Sequence, residues 1–366
     1  MIKEIKILSN ELQVTFDNKM HDNFPNIWLR DHAKDDLNWD ARSNQRKTYT
    51  AKIDPNIQIK NAEVTDGGKS VKILWSDFKT PITYSSDFLS NNLINKDLNY
   101  NPINLWKSDE VKNEVFVTYE DAINEKKFKN FLNKLYKYGF CVIQNCEKNI
   151  NSVEKIANKI GYVRQSIFGG LWSFESDENM ADSAYTQEEL RPHTDSTYSN
   201  DAPGLQLLLC RHYNAEGGHS IMVDGFKIAE DIKNQNNEIY QILTSVDVTG
   251  EYKGDGVALR ASRPILKLDK NKNLVQVSFN NYDRAPFRLQ NNEMIQFYEA
   301  LKEFDIMANS DDYQWKRVLK PGELLIFNNW RVLHGRSLFK GSRKMSGCYI
   351  NKEDFDSCCR MNKIIF

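Results

Sequence analysis

Two residues of the sequence, His193 and Asp195, combine an imidazole and a carboxylate at a spacing that could hold a metal ion. On an extended strand, residues two positions apart turn their side chains to the same face. A second imidazole from elsewhere in the chain would complete the two-histidine, one-carboxylate triad of the non-haem Fe(II) oxygenases. Such a triad leaves coordination positions open for a co-substrate and for O2. Taken alone, the pair is also compatible with an ordinary surface turn.

The second imidazole is expected on a late strand of the same fold. His334 is the predicted residue, because it lies in the segment 328–336 directly after the apolar run 324–327. The remaining histidines of the chain are His21, His32, His212 and His219.

An arginine close behind His334 could bind a dicarboxylate co-substrate such as 2-oxoglutarate. The keto-acid end of 2-oxoglutarate chelates iron, and its far carboxylate suits a bidentate guanidinium. Arg343 is predicted for this role. Arg336 and Arg331 are the alternatives, and either could equally be a surface or ion-pair residue.

Short strands must position these side chains. Beyond residue 200 the sequence predicts strands at 204–210, 220–223, 275–279, 323–327 and 346–350, with helices at 226–232 and 295–307. Many short strands with few helices favour an antiparallel double sheet. The jelly-roll barrel is the common form of such a sheet around an inward-facing metal site.

The first part of the chain has a different pattern. Residues 1–100 predict a small β-rich domain, because apolar and polar residues alternate and Asp66-Gly67-Gly68 is typical of a hairpin turn. The polar stretch 101–115 is the predicted linker. From residue 119 apolar residues recur at helical spacing as far as Tyr138-Gly139, where glycine suits the end of a helix.

The composition is that of an ordinary globular protein, with 366 residues, 40% apolar and 27% charged. A formal net charge of −1 gives no electrostatic footprint for nucleic acid or an anionic membrane. No apolar run reaches the roughly 18 residues of a transmembrane helix. The opening residues lack a signal-peptide core and an Arg-rich transit pattern, so we expect a cytoplasmic protein. The cysteines are expected as small buried residues, not as disulfides.

Several motifs beyond residue 115 occur in the order and spacing of one enzyme family. They are Ala184-Tyr185-Thr186, His193-Thr194-Asp195, Val223-Asp224-Gly225-Phe226, the segments 280–285 and 329–336, and Gly347-Cys348-Tyr349. The chain from about 115 to 366 resembles the γ-butyrobetaine and trimethyllysine hydroxylases, which are Fe(II)/2-oxoglutarate-dependent oxygenases. The segment 279–285 is more similar to the trimethyllysine enzymes.

The resemblance implies a mainly β fold with flanking helices. The catalytic domain, at 116–366, would be a double-stranded β-helix of the jelly-roll, clavaminate synthase-like type. Its metal ligands would be His193, Asp195 and His334. A homodimer is also expected from the family, and ascorbate is a candidate cofactor whose requirement the sequence leaves open.

The N-terminal domain departs from the family pattern at one point. Trp28–His32 and Gln45-Arg46 extend the resemblance, and in the family cysteines follow the first motif and help to bind a structural zinc. Here Ala33 and Asn38 stand where those cysteines are expected. A zinc site needs about four N or S ligands, and this domain offers only two histidines. We therefore expect no zinc.

The family's substrates carry a trimethylammonium group, which aromatic faces recognise because the cation has no hydrogen to donate. The resemblance places such a cage at Phe168, Trp172, Tyr185 and Tyr349, although each could be a core residue. Asp182 would pair with the α-ammonium group of trimethyllysine and would repel the carboxylate of butyrobetaine. Asn281 and Arg284 are the predicted partners of the substrate carboxylate.

The expected reaction is hydroxylation of trimethyllysine to 3-hydroxy-trimethyllysine, with 2-oxoglutarate and O2 converted to succinate and CO2. Two alternatives within the class are γ-butyrobetaine hydroxylation, which forms carnitine, and hydroxylation of a trimethylaminoalkyl phosphonate. From other classes, a non-catalytic cupin-like binding protein and a zinc hydrolase with the same ligands remain open.

Overall fold

The computed structural model describes residues 1–94, 102–111, 113–175, 187–254 and 256–365. The chain forms two compact units, Met1–Asn99 and Tyr100–Phe366. Among the described residues, no helix has both the length and the apolar character needed to cross a membrane.

The smaller unit is β-rich, as the sequence predicts. Its elements are β1 (Ile2–Ile7), β2 (Glu11–Phe16), β3 (His21–Pro25), α1 (Asn26–Asp31), β4 (Trp39–Asp40), β5 (Gln45–Arg46), β6 (Ile59–Thr65), β7 (Ser70–Trp75), β8 (Ile82–Ser85) and α2 (Ser86–Asn91). Two three-stranded sheets, β1-β2-β3 and β6-β7-β8, enclose one apolar core. Alternation explains the packing, since Leu12, Val14 and Phe16 of β2 are buried and the residues between them are not.

The strands of the larger unit form two main sheets. These strands are β9 (Phe116–Thr118), β10 (Phe140–Gln144), β11 (Val163–Arg164), β12 (Trp172–Glu175), β13 (Leu190–His193), β14 (Leu205–Gly217), β15 (Ser220–Asp224), β16 (Asp247–Gly254), β17 (Val257–Pro264), β18 (Leu266–Leu268), β19 (Leu274–Val277), β20 (Trp315–Arg317), β21 (Leu324–Asn328), β22 (Val332–Arg336) and β23 (Phe339–Ile350). The large sheet has the order β11-β23-β14-β21-β10-β9, with β12 also paired to β23. The small sheet has the order β13-β22-β15-β20.

The two sheets pack face to face. Phe140 and Phe327 of the large sheet share a buried apolar cluster with Met222 and Val332 of the small sheet. Strands 205–209 and 324–327 are buried along nearly their whole length because they lie in the middle of the large sheet. This arrangement confirms the predicted jelly-roll.

Helices cover the outer faces. They are α3 (Tyr119–Ile123), α4 (Glu125–Tyr138), α5 (Ile150–Ile160), α6 (Gly225–Gln235), α7 (Asn237–Ser245), α8 (Asn291–Ala308) and α9 (Lys352–Met361). The helical pattern beginning at residue 119 is divided into α3 and α4. Asn124 is extended there, and its side chain accepts hydrogen bonds from the first backbone N–H groups of α4. The predicted end is confirmed, since Gly139 adopts a left-handed conformation with φ 77°.

The part of the predicted linker that the structure describes packs on the larger unit. Trp106 is buried, and its indole N–H donates to the carbonyl of Tyr138 at 2.7 Å. Its backbone N–H donates to Asp224, which forms a buried ion pair with Arg331 at 2.7 Å. The Arg331 guanidinium also donates to the carbonyl of Asn104. Residues 104–106 are therefore anchored to the strand ends of the small sheet.

Candidate active site

The small sheet brings the three predicted metal ligands together. His193 ends β13 and lies directly opposite His334 in the antiparallel β13–β22 pair. The Nε2 atom of each imidazole lies 3.5 Å from Oδ1 of Asp195. Among the residues that the structure describes, this is the one cluster of three metal-binding side chains, with ligand atoms within 4.8 Å of one another.

Asn329 fixes the backbone on which Asp195 lies. Its side-chain oxygen accepts from the Asp195 N–H at 2.8 Å, and its amide nitrogen donates to the carbonyls of Asp195 and Pro203. The next residue, Ser196, has φ 57°, so the chain turns sharply after the carboxylate. Asn329 therefore sets the position from which Asp195 reaches the two imidazoles.

Electrostatics favour a cation between these groups. Burial raises the pKa of the Asp195 carboxyl, but the imidazoles and the Tyr349 hydroxyl outweigh burial and hold that pKa well below its usual range. Burial lowers the pKa of His334 to about 3, so this imidazole is neutral at neutral pH. The Nδ1 atom of His193 lies 2.8 Å from the carbonyl of Arg191, which can only accept, so Nδ1 carries a hydrogen. A carboxylate and imidazole nitrogens converge here, and this donor set fits Fe(II).

The cavity beside the triad has an aromatic side. Phe168, Trp172 and Tyr349, three of the four predicted cage residues, line it. The rings of Trp172 and Tyr349 lie 5.9 Å apart and are tilted by 54°. Tyr349 also donates its hydroxyl to Oδ2 of Asp195 at 2.8 Å. The other predicted cage residue, Tyr185, and the predicted ammonium partner, Asp182, lie outside the described residues.

The three candidate arginines have different surroundings. Arg343 and Arg336 line the cavity, whereas Arg331 lies in the buried ion pair with Asp224. Arg336 donates to the carbonyl of Glu188, and burial lowers its pKa to about 10. Arg343 is buried, which lowers its pKa, and no carboxylate of the described residues forms an ion pair with it. Arg343 is thus the arginine whose charge a bound carboxylate would best neutralise.

Asn281 and Arg284 lie elsewhere. They line a neighbouring cavity with Arg191 and Lys302, and the Arg284 guanidinium lies over the Tyr298 ring. His193 and Tyr282 border both cavities, so these side chains form the wall between them. The segment 280–284, which contains Asn281 and Arg284, contributes Asn280 and Asp283 to the cavity beside the triad. The structure therefore does not bring Asn281 and Arg284 into one cavity with the triad.

Most of the chain matches a known protein family. Residues 104–349 match the family described as Taurine catabolism dioxygenase TauD, TfdA family. The chain belongs to this family. Residues 4–90 match a second description, Gamma-butyrobetaine hydroxylase-like, N-terminal.

Curated relatives of this TauD/TfdA protein cover nearly its whole length. Trimethyllysine dioxygenase of Meyerozyma guilliermondii is 32% identical, over 94% of this chain and 92% of the relative. Gamma-butyrobetaine dioxygenase of Pongo abelii is 29% identical, over 89% of this chain and 87% of the relative. The resemblance found in the sequence motifs is confirmed.

A solved structure agrees with the fold. AAD-2 in complex with Mn(II) and N-oxalylglycine has a TM-score of 0.51 at 10% identity, over 66% of this chain and 96% of that one. At this identity the likeness concerns the fold alone. The family and the His-Asp-His cluster together make the TauD/TfdA protein a 2-oxoglutarate-dependent dioxygenase with an iron site.

Sequence reasoning missed several residues of the cavity wall, among them Gln206, Tyr198 and Tyr252. Gln206 had a signal, because it is the one polar residue in the apolar run 205–209. A buried amide in a central strand needs partners, and the side-chain nitrogen of Gln206 has one in the hydroxyl of Tyr349 at 3.2 Å. Tyr252 had no signal, because the hairpin β16–β17 that carries it was not predicted.

Proposed function

We propose that this dioxygenase hydroxylates N6,N6,N6-trimethyllysine at C3. The substrate, 2-oxoglutarate and O2 are converted to 3-hydroxy-trimethyllysine, succinate and CO2. The observation that carries the proposal is the aromatic wall beside the triad, formed by Phe168, Trp172 and Tyr349. Aromatic faces attract a trimethylammonium group because the ring faces carry negative charge. The names of the curated relatives support the same substrate class.

The chain's residues divide the work of the reaction. His193, Asp195 and His334 would hold Fe(II), which would supply the oxidative decarboxylation of 2-oxoglutarate by O2 coupled to hydroxylation of a C–H bond. Arg343 would pair with the far carboxylate of 2-oxoglutarate and fix its orientation, with Arg336 as the alternative. The aromatic wall would hold the cationic end, so that one carbon of the substrate stays close to the triad.

The polar end of the substrate has several candidate partners. We propose that Asp182 pairs with the α-ammonium group of trimethyllysine, although this residue lies outside the described ones. Asn281 and Arg284 are proposed for the carboxylate, which would have to extend past Tyr282 into the neighbouring cavity that these two residues line.

A side-by-side assay separates the substrates. Succinate release is measured with trimethyllysine, γ-butyrobetaine and a trimethylaminoalkyl phosphonate, and the product is located by NMR. We expect the highest kcat/KM and hydroxylation at C3 with trimethyllysine. Asp182→Asn should shift the preference roughly tenfold towards butyrobetaine, since it removes an attraction for the ammonium and a repulsion of the carboxylate. Equal preference before and after the substitution would contradict the role of Asp182.

A triad variant tests the chemistry itself. His193→Ala should abolish substrate-coupled succinate formation, because an imidazole of the metal site is lost, while circular dichroism shows an unchanged fold. Full turnover in this variant would remove His193 from the metal site. Bound 2-oxoglutarate without turnover in the unmodified protein would instead favour a cupin-like binding protein.

We infer the remaining properties from the family resemblance and the composition. The enzyme would be a cytoplasmic homodimer with an N-terminal domain at 1–100, a linker at 101–115 and an oxygenase domain at 116–366. Its N-terminal domain would bind no zinc, and ascorbate is the candidate reductant for the iron. Size-exclusion chromatography with light scattering tests the dimer, and an assay with and without ascorbate tests the reductant.

A further inference from the structure

The two oxygens of the Asp195 carboxylate have different neighbours. Oδ1 faces the imidazoles, at 3.5 Å from Nε2 of His193 and 3.5 Å from Nε2 of His334. Oδ2 accepts the hydroxyl hydrogen of Tyr349 at 2.8 Å. One oxygen is thus directed to the metal site, and the other is engaged by the protein.

A second hydrogen bond sets the direction of the Tyr349 hydroxyl. Gln206 lies directly opposite Tyr349 in the β14–β23 pair, and its amide nitrogen donates to the hydroxyl oxygen at 3.2 Å. Both side chains are buried, with 6% and 4% of their surface exposed. A phenol has a single hydrogen to donate. Because a carboxylate can only accept, that hydrogen goes to Asp195, and the Gln206 amide donates to the phenol oxygen.

We propose that Tyr349, oriented by Gln206, is a positioning residue that keeps Oδ2 of Asp195 from the metal. The carboxylate then binds through Oδ1 alone. A carboxylate that also used Oδ2 would occupy a coordination position that 2-oxoglutarate or O2 needs. The Tyr349 ring keeps its place in the cavity wall, so ring and hydroxyl have separate tasks. The proposal rests on the metal site and not on the identity of the substrate.

The test uses the full chain loaded with Co(II) in place of iron, without substrate. Tyr349→Phe removes the hydroxyl and keeps the ring. Once Oδ2 is released, the visible absorption of Co(II) should change, because it reports the number and arrangement of ligands. The Kd for 2-oxoglutarate should rise roughly tenfold, because Oδ2 then competes with it for a coordination position. With iron, more succinate should form per hydroxylated product.

Tyr313→Phe is the matched control. Tyr313 is also buried and donates its hydroxyl to a carboxylate, Asp231, at 2.7 Å, but it lies outside the cavity. This variant loses the same kind of bond and should keep the Co(II) spectrum and the Kd of the unmodified protein.

Gln206→Leu provides a second variant, and it decides the question if Tyr349→Phe does not fold. We expect the Co(II) absorption and the Kd for 2-oxoglutarate to change in the same direction as in Tyr349→Phe but by less, because the hydroxyl stays and loses only its orientation. A Co(II) spectrum and a Kd for 2-oxoglutarate within twofold of the unmodified protein would overturn the proposal. A rise in the substrate KM alone would overturn it as well, since it would leave Tyr349 as cavity wall only.

Discussion

At the scale of single residues, Arg343 is a buried cation in the wall of the cavity beside the triad. A buried guanidinium is expensive unless a carboxylate or another acceptor accompanies it. No carboxylate of the described residues forms an ion pair with Arg343, whereas Arg331 has Asp224 and Arg317 has Glu323. A ligand carboxylate would therefore gain more from Arg343 than from an arginine that is already paired.

Arg343→Lys should raise the KM for 2-oxoglutarate roughly tenfold or more, because an ammonium cannot make the bidentate pair. The kcat at saturating 2-oxoglutarate should change less. In the unmodified protein with metal present, 2-oxoglutarate should also raise the Tm, since it binds the folded state. In the variant this rise should be largely lost.

Arg317→Lys serves as the control for this substitution. Arg317 lies on β20 in a part-buried ion pair with Glu323, outside the cavity. The substitution Arg317→Lys should lower the Tm slightly and leave the KM for 2-oxoglutarate unchanged. If both variants raised that KM equally, Arg343 would not be the carboxylate partner.

At the scale of elements, β12 and β23 are tightly packed against each other. Trp172 is directly opposite Gly347 in this antiparallel pair. A Cβ added at Gly347 would lie 2.3 Å from the Trp172 ring and 2.2 Å from the carbonyl oxygen of Leu207. Glycine at this position leaves room for the Trp172 ring, which lines the cavity.

Gly347→Ala should therefore disturb the aromatic wall as well as the sheet. We expect a loss of about 1–3 kcal/mol in the free energy of unfolding from overpacking. The KM for the trimethylammonium substrate should rise, because Trp172 is displaced. Urea unfolding and steady-state kinetics measure the two effects. Unchanged kinetics with lower stability would separate the packing of Trp172 from substrate binding.

Local sequence patterns predicted part of the fold. Alternation and turn residues predicted a β-rich first domain with a hairpin turn at 66–68, because strands such as β2 and β7 and the turn depend on local pattern. The hairpin β16–β17 was missed, since burial there does not follow residue polarity: apolar Val257 and Ala258 are exposed, whereas Thr249 and Arg263 are buried. The pairing of His193 with His334 is a contact between distant segments. Residue type and family motifs suggested this contact, whereas the periodicity of apolar residues within one segment could not.

The same limit applies to the arginines and to the segment 280–284. Arg331, Arg336 and Arg343 are chemically alike, and only their neighbours distinguish an ion-paired core residue from a cavity residue. In the segment 280–284, side chains alternate between two cavities. The sequence alone does not show which residues of this segment line which cavity, because this depends on where β13 and α8 approach the segment.

At the scale of the whole molecule, the smaller unit has a hydrogen-bonded cluster where the family pattern has cysteines. Asn38 is buried and accepts from Arg30 at 3.1 Å and from Thr48 at 2.7 Å. Arg30 in turn pairs with Asp77. His32 has both ring nitrogens engaged, by the carbonyl of Trp28 and by Arg46. These contacts can hold the unit together without a metal.

Metal analysis of the full chain tests this. The unmodified protein should hold one metal equivalent per chain, and His334→Ala should hold close to none, because the triad then lacks a ligand. Zinc and iron are measured by mass spectrometry after dialysis, with circular dichroism to verify folding. A zinc equivalent that persists in His334→Ala would refute a metal-free N-terminal unit.

The placement of both imidazoles on one pair of strands has a further consequence. Side chains alternate along a strand, so a slip of β13 against β22 by one position would turn one imidazole away from the other. The amount of bound metal per chain therefore reports the fraction of chains in which β13 and β22 pair in the native register. In a preparation that refolds imperfectly, sub-stoichiometric iron would measure misassembly, and the colour of the cobalt form would follow barrel closure in real time.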